Sequence, residues 1–356
     1  MSLLRWPGLV DVHVHVREPG ATHKEDWETA TAAALAGGFT AILAMPNTKP
    51  PIVNAASLRL ALDAARRKAR VDYAQYVGGT ATNAAELPTL APEAAGLKLY
   101  LSHTYGLLWL QDMALWPALF RAWPKHRPLV VHAERHTLAA ALFFARLCDR
   151  PIHIAHVAYR EEILTIRAAK ERGWPVTCEV TPHHLFLTAA DVADRGGWGE
   201  VRPRLGTSRD RDALWENLAV CDIFATDHAP HTREEKAWPN PPPGFPGLET
   251  ALPLLLTAAH QGRLTYDDIV ARLHTNPRRI FGLPAQPDTW VEIDPQAEWT
   301  FPDRGWFTRA DWSPFAGWRV RGRVQRVVLR GQTAFEQGQV LAPPGSGRSL
   351  RIPQEG

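Results

Sequence analysis

The chain is short of sulfur, with 3 cysteines and 3 methionines in 356 residues, and no hydrophobic run reaches membrane-spanning length. Cys148, Cys178 and Cys221 are odd in number, far apart and set in apolar surroundings. That excludes a disulfide framework and fits reduced core thiols. The opening Met-Ser-Leu-Leu-Arg-Trp lacks the apolar segment of a secretory signal, so a cytoplasmic protein is the default expectation. Blocks of like charge are missing too: the net charge of +3 comes without a lysine or arginine stripe, which gives no ground for a nucleic-acid or membrane partner. With 45% apolar and 22% charged residues, disorder is excluded and a large core can be buried.

What is present is a repeated alternation. Short apolar or β-branched runs predict strands at 9–16, 40–46, 71–78, 96–102, 128–134, 151–157, 176–182 and 221–228. Helical spacing fills the gaps, as in 54–70 and 160–173. Eight such units point to a parallel sheet closed into a (β/α)8 TIM barrel, an architecture that takes about 250 residues as one unit. The expected division is a barrel over 9–282, with 1–8 and 283–356 forming a peripheral β appendage, because 318–341 alternates and turns at glycines like antiparallel strands. The proline-rich 238–247 reads as a rigid loop over one barrel face. Nothing in the pattern explains the 14 tryptophans, several of which, such as Trp109, Trp198 and Trp238, fall where surface is expected.

Catalytic groups of such barrels gather at the C-terminal strand ends. There the first predicted strand carries DVHVHVRE, and alternation puts His13, His15 and Arg17 on one face with Val12, Val14 and Val16 on the other. Lys98 lies on the fourth strand, His132 on the fifth, His156 on the sixth and Asp227 on the eighth. A lone histidine in a strand is usually a hydrogen-bonded core or rim group. Four histidines and an aspartate at equivalent depths cannot all satisfy one another in an apolar interior, whereas a metal would satisfy them at once. Imidazoles with a carboxylate favour zinc or a similar divalent ion over magnesium. Lys98 sits between Leu97 and Leu99, so burial and nearby cations are expected to favour the neutral amine. A neutral amine can take up carbon dioxide, and the resulting carbamate could bridge two metals about 3.5–4 Å apart. The alternative is an ion pair with Asp227 or Glu134.

These residues resemble the amidohydrolase superfamily. The runs PGLVDVHVHVREPGATHKEDW, MPNTKPP, GLKLYLS, VVHAER, HIAHVA, CEVTPHHL, VRPRLG, TDHAPHTREEK, PPPGFPGLET and NPRRIFGLP are similar to the dihydroorotase domains of animal multifunctional pyrimidine-synthesis proteins. The resemblance extends over essentially the whole chain. It implies reversible, zinc-dependent cyclisation of N-carbamoyl-L-aspartate to L-dihydroorotate. By that resemblance His13 and His15 hold one zinc and His132 and His156 the other, with carboxylated Lys98 and a hydroxide bridging and Asp227 completing the first site. Asp227 is the implied general base and acid. Arg17, Asn47, Arg202 and His231 are the implied substrate contacts, and Thr104 and Tyr105 belong to a loop that closes on substrate. A homodimer, and other domains of a longer polypeptide, are implied partners.

Two departures from the family pattern stand out. A third zinc would use Glu179, His132 and a cysteine, but Ala155 occupies the cysteine's position, which weakens or abolishes that site. The residues flanking Thr104 and Tyr105 also differ. Two rival readings are a hydantoinase- or allantoinase-type cyclic amidase, and a related domain that has lost catalysis and serves as a scaffold.

Overall fold

A computed structural model describes residues 3–104 and 106–351; the expected lid residue Tyr105 lies outside the described residues. Antiparallel β1 (Leu4–Pro7) opens the chain, and eight parallel strands follow: β2 (Leu9–Val14), β3 (Phe39–Ala44), β4 (Asp72–Gly78), β5 (Ala94–Tyr100), β6 (Leu129–His132), β7 (Ile152–Ile154), β8 (Val176–Val180) and β9 (Ile223–Phe224). They lie side by side in chain order, and a parallel bridge from Val14 to His228 joins the last to the first. This is the expected (β/α)8 barrel. Its strands are buried almost throughout, as parallel strands covered by helices must be.

The expected helices form and end for local reasons. Asn54 and Ser57 make a reciprocal cap at the start of Ala55–Lys68, and three cations close that helix where its dipole is negative. Arg160–Glu171 ends in a turn at Gly173, whose φ of +71° suits glycine.

Two apolar layers result. Val10, Val12, Leu43, Tyr76, Val130 and Ile223 fill the barrel interior, with Phe281, Leu283 and Leu350 among them. Leu9, Val14, Val16, Leu97, Leu99 and Ile154 face outward to the helices. The expectation that Val12, Val14 and Val16 share one face is therefore corrected: Val12 points inward and the other two outward. The pairing of β2 with β3 is irregular between Asp11 and Val14, which breaks strict alternation there. Arg17 also lies past the strand, in left-handed backbone at φ +65°, so alternation does not aim it.

The second sheet runs β1–β10–β11–β12–β13, where β10 is Trp290–Thr300, β11 Arg319–Leu329, β12 Gln332–Glu336 and β13 Gln339–Val340. It is built from the two chain ends. Beside it the 301–318 connection folds over an aromatic cluster in which Trp312 is buried among the partly buried Trp198, Trp299, Trp306 and Trp318. That small second core accounts for five of the 14 tryptophans. Trp109 and Trp238 remain 40% and 50% exposed.

Candidate metal centre and substrate pocket

At the C-terminal mouth of the barrel, His13, His15, Lys98, His132, His156, Glu179 and Asp227 are all buried. Asp227 is central, with Oδ1 3.2 Å from His13 Nε2 and 3.0 Å from His15 Nε2. The nitrogens of His13 and His156 and the Asp227 carboxylate all lie within 4.8 Å of one another. Arg17, Arg135, His156 and Asp227 all have positive φ, and such backbone costs about 1–3 kcal/mol each. Four departures of this kind at one mouth show that the fold holds the site's geometry against local preference.

The hydrogen bonds test whether a metal fits. His15 Nδ1 lies 2.7 Å from the Asn47 side-chain oxygen and donates to it. Nε2 is then a lone pair, yet it faces another acceptor, Asp227 Oδ1. A proton does not reconcile them, because burial, opposed by Asp227, pulls His15 down to about 4. His13 repeats the arrangement: Nδ1 donates to Glu179, and Nε2 faces the same Asp227 oxygen. Two imidazole nitrogens and a carboxylate oxygen converging on one point form a donor set for a divalent first-row ion.

Across the mouth His132 Nδ1 and His156 Nε2 lie 2.7 Å apart. Among the described residues His156 Nδ1 and Lys98 Nζ are buried without a hydrogen-bond partner, and His132 Nε2 meets only the Glu134 carboxylate, at 3.4 Å. Orphaned polar atoms of this kind are rare in interiors, and here they belong to the residues expected to bind metal. Burial lowers Lys98 to about 8. The charges acting on it are the carboxylates of Glu179 and Asp227, which oppose that shift, rather than the depressing cations the sequence suggested. Among the described residues Lys98 makes no ion pair with Asp227 or Glu134. Burial raises the Asp227 carboxyl, but His13, His15 and His156 outweigh it and leave it well below the usual range.

Glu179 accepts from His13 and, at 3.1 Å, from His153 Nε2, while His153 Nδ1 meets Thr177 Oγ1 at 2.8 Å. His132 Nε2 lies 3.4 Å from Glu134 Oε1. His153 was missed by the sequence analysis. Its place between Ile152 and Ile154, both outward, was the available signal.

The expected substrate contacts divide between two cavities, each of about 510 Å³. Arg17 and Asn47 line the first with Lys24, Glu235 and the proline-rich loop. Arg202 lines the second with Ser102, Trp109 and Glu134. His231 is buried beside Arg17, its Nε2 3.1 Å from an Arg17 amino group. The proline-rich loop is anchored by buried Lys236, which donates to the carbonyls of Glu200 (2.9 Å), Pro242 (3.0 Å) and Gly244 (3.3 Å). Thr104 is half-buried on the 102–108 loop, and that loop passes over Asn47: a Cβ on Gly106, whose φ is +115°, would lie 3.6 Å from the Asn47 Cβ. A further cavity, about 770 Å³ between 189–205 and 238–241, holds none of the expected substrate contacts.

A (β/α)8 barrel with a buried histidine, lysine and aspartate cluster at its strand ends has the architecture of the amidohydrolase class, with a group of side chains able to hold a metal ion. Comparison with known proteins narrows this. Residues 3–105 match the family described as Dihydro-orotase-like. The dihydroorotase of Pyrococcus abyssi is 37% identical over 366 residues, spanning 98% of this chain and 87% of that one. The chain belongs to the dihydroorotase family. It is 57% identical over 351 residues to the multifunctional protein CAD of Squalus acanthias, and although 98% of the chain is matched it spans only 16% of that protein's length. Among solved structures, the inactive dihydroorotase-like domain of a Chaetomium thermophilum CAD-like multifunctional protein superposes with a TM-score of 0.85 at 32% identity, over 98% of this chain and all of that one. L-Hydantoinase from Arthrobacter aurescens gives 0.93 at 24% identity, covering 98% and 89%, and shares the fold.

Proposed function

We propose that this chain is a working dihydroorotase, interconverting N-carbamoyl-L-aspartate and L-dihydroorotate in pyrimidine synthesis. One observation carries the reading: through Asn47, which hydrogen-bonds His15 and lines the Arg17 cavity, the metal-type cluster is tied directly to a cationic pocket. A cyclic amidase with uncharged substrates has no use for that pocket. Two zinc ions would be held by His13, His15 and Asp227 on one side and by His132 and His156 on the other, with Lys98, after adding to carbon dioxide and losing a proton, between them; when bound they supply Lewis acidity to the amide carbonyl and acidify the attacking water. Glu179 turns His13 Nε2 toward the metal position by accepting from Nδ1, as Asn47 does for His15.

In the hydrolytic direction Asp227, an ionised carboxylate, takes the proton of the attacking water and returns it to the departing ring nitrogen. The Arg17 guanidinium, a fork matched to a carboxylate, holds the substrate's acid group with Asn47 and His231, and Arg202 approaches from the neighbouring cavity. Thr104 and the 102–108 loop close over the ring and exclude water. The family's third zinc site is not proposed, since Ala155 offers no ligand and Glu179 is engaged by His13 and His153.

Further parts of this reading are a unit of barrel (9–282) and appendage (1–8, 283–356), a cytoplasmic setting suited to three free thiols, and membership of a longer multifunctional polypeptide. A homodimer is included; sedimentation would test it. Among the described residues no helix is long and apolar enough to cross a membrane.

The inactive relative favours a second reading, a scaffold domain. Ultraviolet-monitored turnover of both substrates by zinc-loaded protein, with hydantoin and allantoin as controls, separates the readings. Turnover in both directions, abolished by a chelator, supports the enzyme. Two bound zinc ions without turnover support the scaffold.

A further inference from the structure

Along one wall of the substrate pocket runs a buried chain of polar groups with no evident structural need for so much charge. Lys24 is 5% exposed, Glu235 4% and His231 0%. Lys24 Nζ sits 2.9 Å from Glu235 Oε1 and 3.1 Å from His231 Nδ1. Glu235 Oε2 accepts from the Thr232 amide at 3.1 Å and lies 3.7 Å from His231 Nδ1. On its other side His231 Nε2 is 3.1 Å from both the Pro243 carbonyl oxygen and an Arg17 amino group. The Trp312 indole fixes the backbone by donating to His231 O at 2.8 Å.

Donor and acceptor logic restricts the ring. An ammonium has only donors, so Nδ1 must accept from Lys24, and the proton of a neutral imidazole must then lie on Nε2. Nε2–H can donate to Pro243 O, but it cannot accept from Arg17. The opposite tautomer would let Nε2 accept from Arg17 but would aim Nδ1–H at the ammonium and a lone pair at the Pro243 carbonyl, two repulsive contacts against the one that Nε2–H makes with Arg17. Burial, with Arg17, Lys24 and Lys236 nearby, holds His231 well below its usual value despite Glu235, so the neutral ring is the species to consider.

We infer that Lys24, anchored by Glu235, is a positioning residue that locks His231 as its Nε2–H tautomer, so that a neutral donor stands beside the Arg17 guanidinium where the substrate carboxylate docks. This rests on the dihydroorotase reading and deepens it. Lys24 lines the same cavity as Arg17, and the role assigned to it runs through His231, which is why the tautomer is read directly beside KM. Two elements more than two hundred residues apart in sequence are thereby required to agree before the carboxylate pocket is correctly formed.

The test uses the zinc-loaded chain with 15N-labelled histidine, and long-range proton–nitrogen spectra that identify the protonated ring nitrogen, His231 being assigned by its loss in His231→Asn. The parent is expected to show Nε2–H. Lys24→Leu should shift His231 toward Nδ1–H and raise KM for L-dihydroorotate about tenfold, with kcat and zinc content little changed, a cost within the range for a misplaced binding group. Lys24→Arg, which keeps a donor, should restore both the tautomer and KM. Glu235→Gln, which retains an acceptor for the Thr232 amide but loses the anchor of Lys24, should move both readouts in the same direction and serves if Lys24→Leu does not fold. An Nδ1–H or doubly protonated His231 in the parent would overturn the inference, as would an unchanged tautomer in the folded variants. Loss of zinc and kcat with KM intact would also overturn it, assigning Lys24 to the scaffold. If the parent fails to turn over L-dihydroorotate, the functional reading falls, while the spectra still decide the tautomer.

Discussion

The two halves of the barrel interior come from the same strands, yet they are chemically opposite. Toward the N-terminal ends, Val10, Val12, Leu43 and Ile223 interlock with Phe281, Leu283 and Leu350 into an apolar plug. Toward the C-terminal ends the inward positions are Lys98, His132 and Glu179, with His13, His156 and Asp227 beside them, and polar atoms there lack protein partners. One half satisfies itself and the other requires something added. Stability and chemistry are thus separated along the strand axis, and substitutions at the two ends should have different signatures.

The sharpest break comes at the polar end. His13→Ala removes one of two imidazoles facing Asp227 and should take turnover below detection and lower bound zinc, measured by ultraviolet assay and elemental analysis. Lys98→Ala should do the same; two zinc ions per chain and normal turnover would eliminate the carbamate. Asp227→Asn keeps shape but loses the base, and kcat should fall on the order of 10²–10⁴-fold, the range for a positioned acid–base group.

The apolar end should give the mirror image. Ile223→Ala opens a cavity among fully buried neighbours, and removing such a side chain costs about 2–5 kcal/mol. The denaturant midpoint should drop while kcat, measured on folded protein, stays near the parent's. A large loss of kcat instead would mean that the two ends are mechanically coupled.

Much of this division can be read from the sequence, for a physical reason. Parallel strands buried on both faces must be apolar runs, so all eight were visible, and a histidine or lysine inside such a run is conspicuous. What could not be read depends on contacts between distant segments. The irregularity in β2 that leaves Val14 outward while Val10 and Val12 point inward lies in its pairing with β3. His153 sits in the same PIHIAHV run as His156, but its partner Glu179 lies one strand over. Nothing in the sequence singles out Lys24, which gains its role only where Glu235 and His231 are brought onto it. The tryptophans were unexplained because their cluster joins 198 to the 299–318 connection across the appendage.

Between the two ends lies the lid, where a smaller effect is expected. Thr104→Ala should lower kcat about tenfold, a loss of one hydrogen bond worth about 1.4 kcal/mol, with zinc content unchanged. An unaffected rate would remove the loop from the mechanism.

The smallest effect tests whether the appendage shares the separation. Glu249 accepts from the amides of Phe307 at 3.2 Å and Thr308 at 3.0 Å, tying the barrel to the aromatic connection. Burial raises its carboxyl from 4.5 to about 8, against the pull of those two amides. The folded chain therefore keeps a proton that the unfolded chain releases above about pH 4.5, so this group's contribution is complete below that value and is lost as pH rises through 8. Glu249→Gln is neutral at every pH but keeps an acceptor for only one of the two amides, so it is expected to be less stable than the parent at pH 5 while depending less on pH. Denaturant midpoints compared at pH 5 and pH 8 should fall more for the parent than for this variant, with kcat at each pH the same in both. A variant that instead altered kcat would place the appendage within the catalytic half of the molecule, and the division along the strand axis would have to be redrawn to include it.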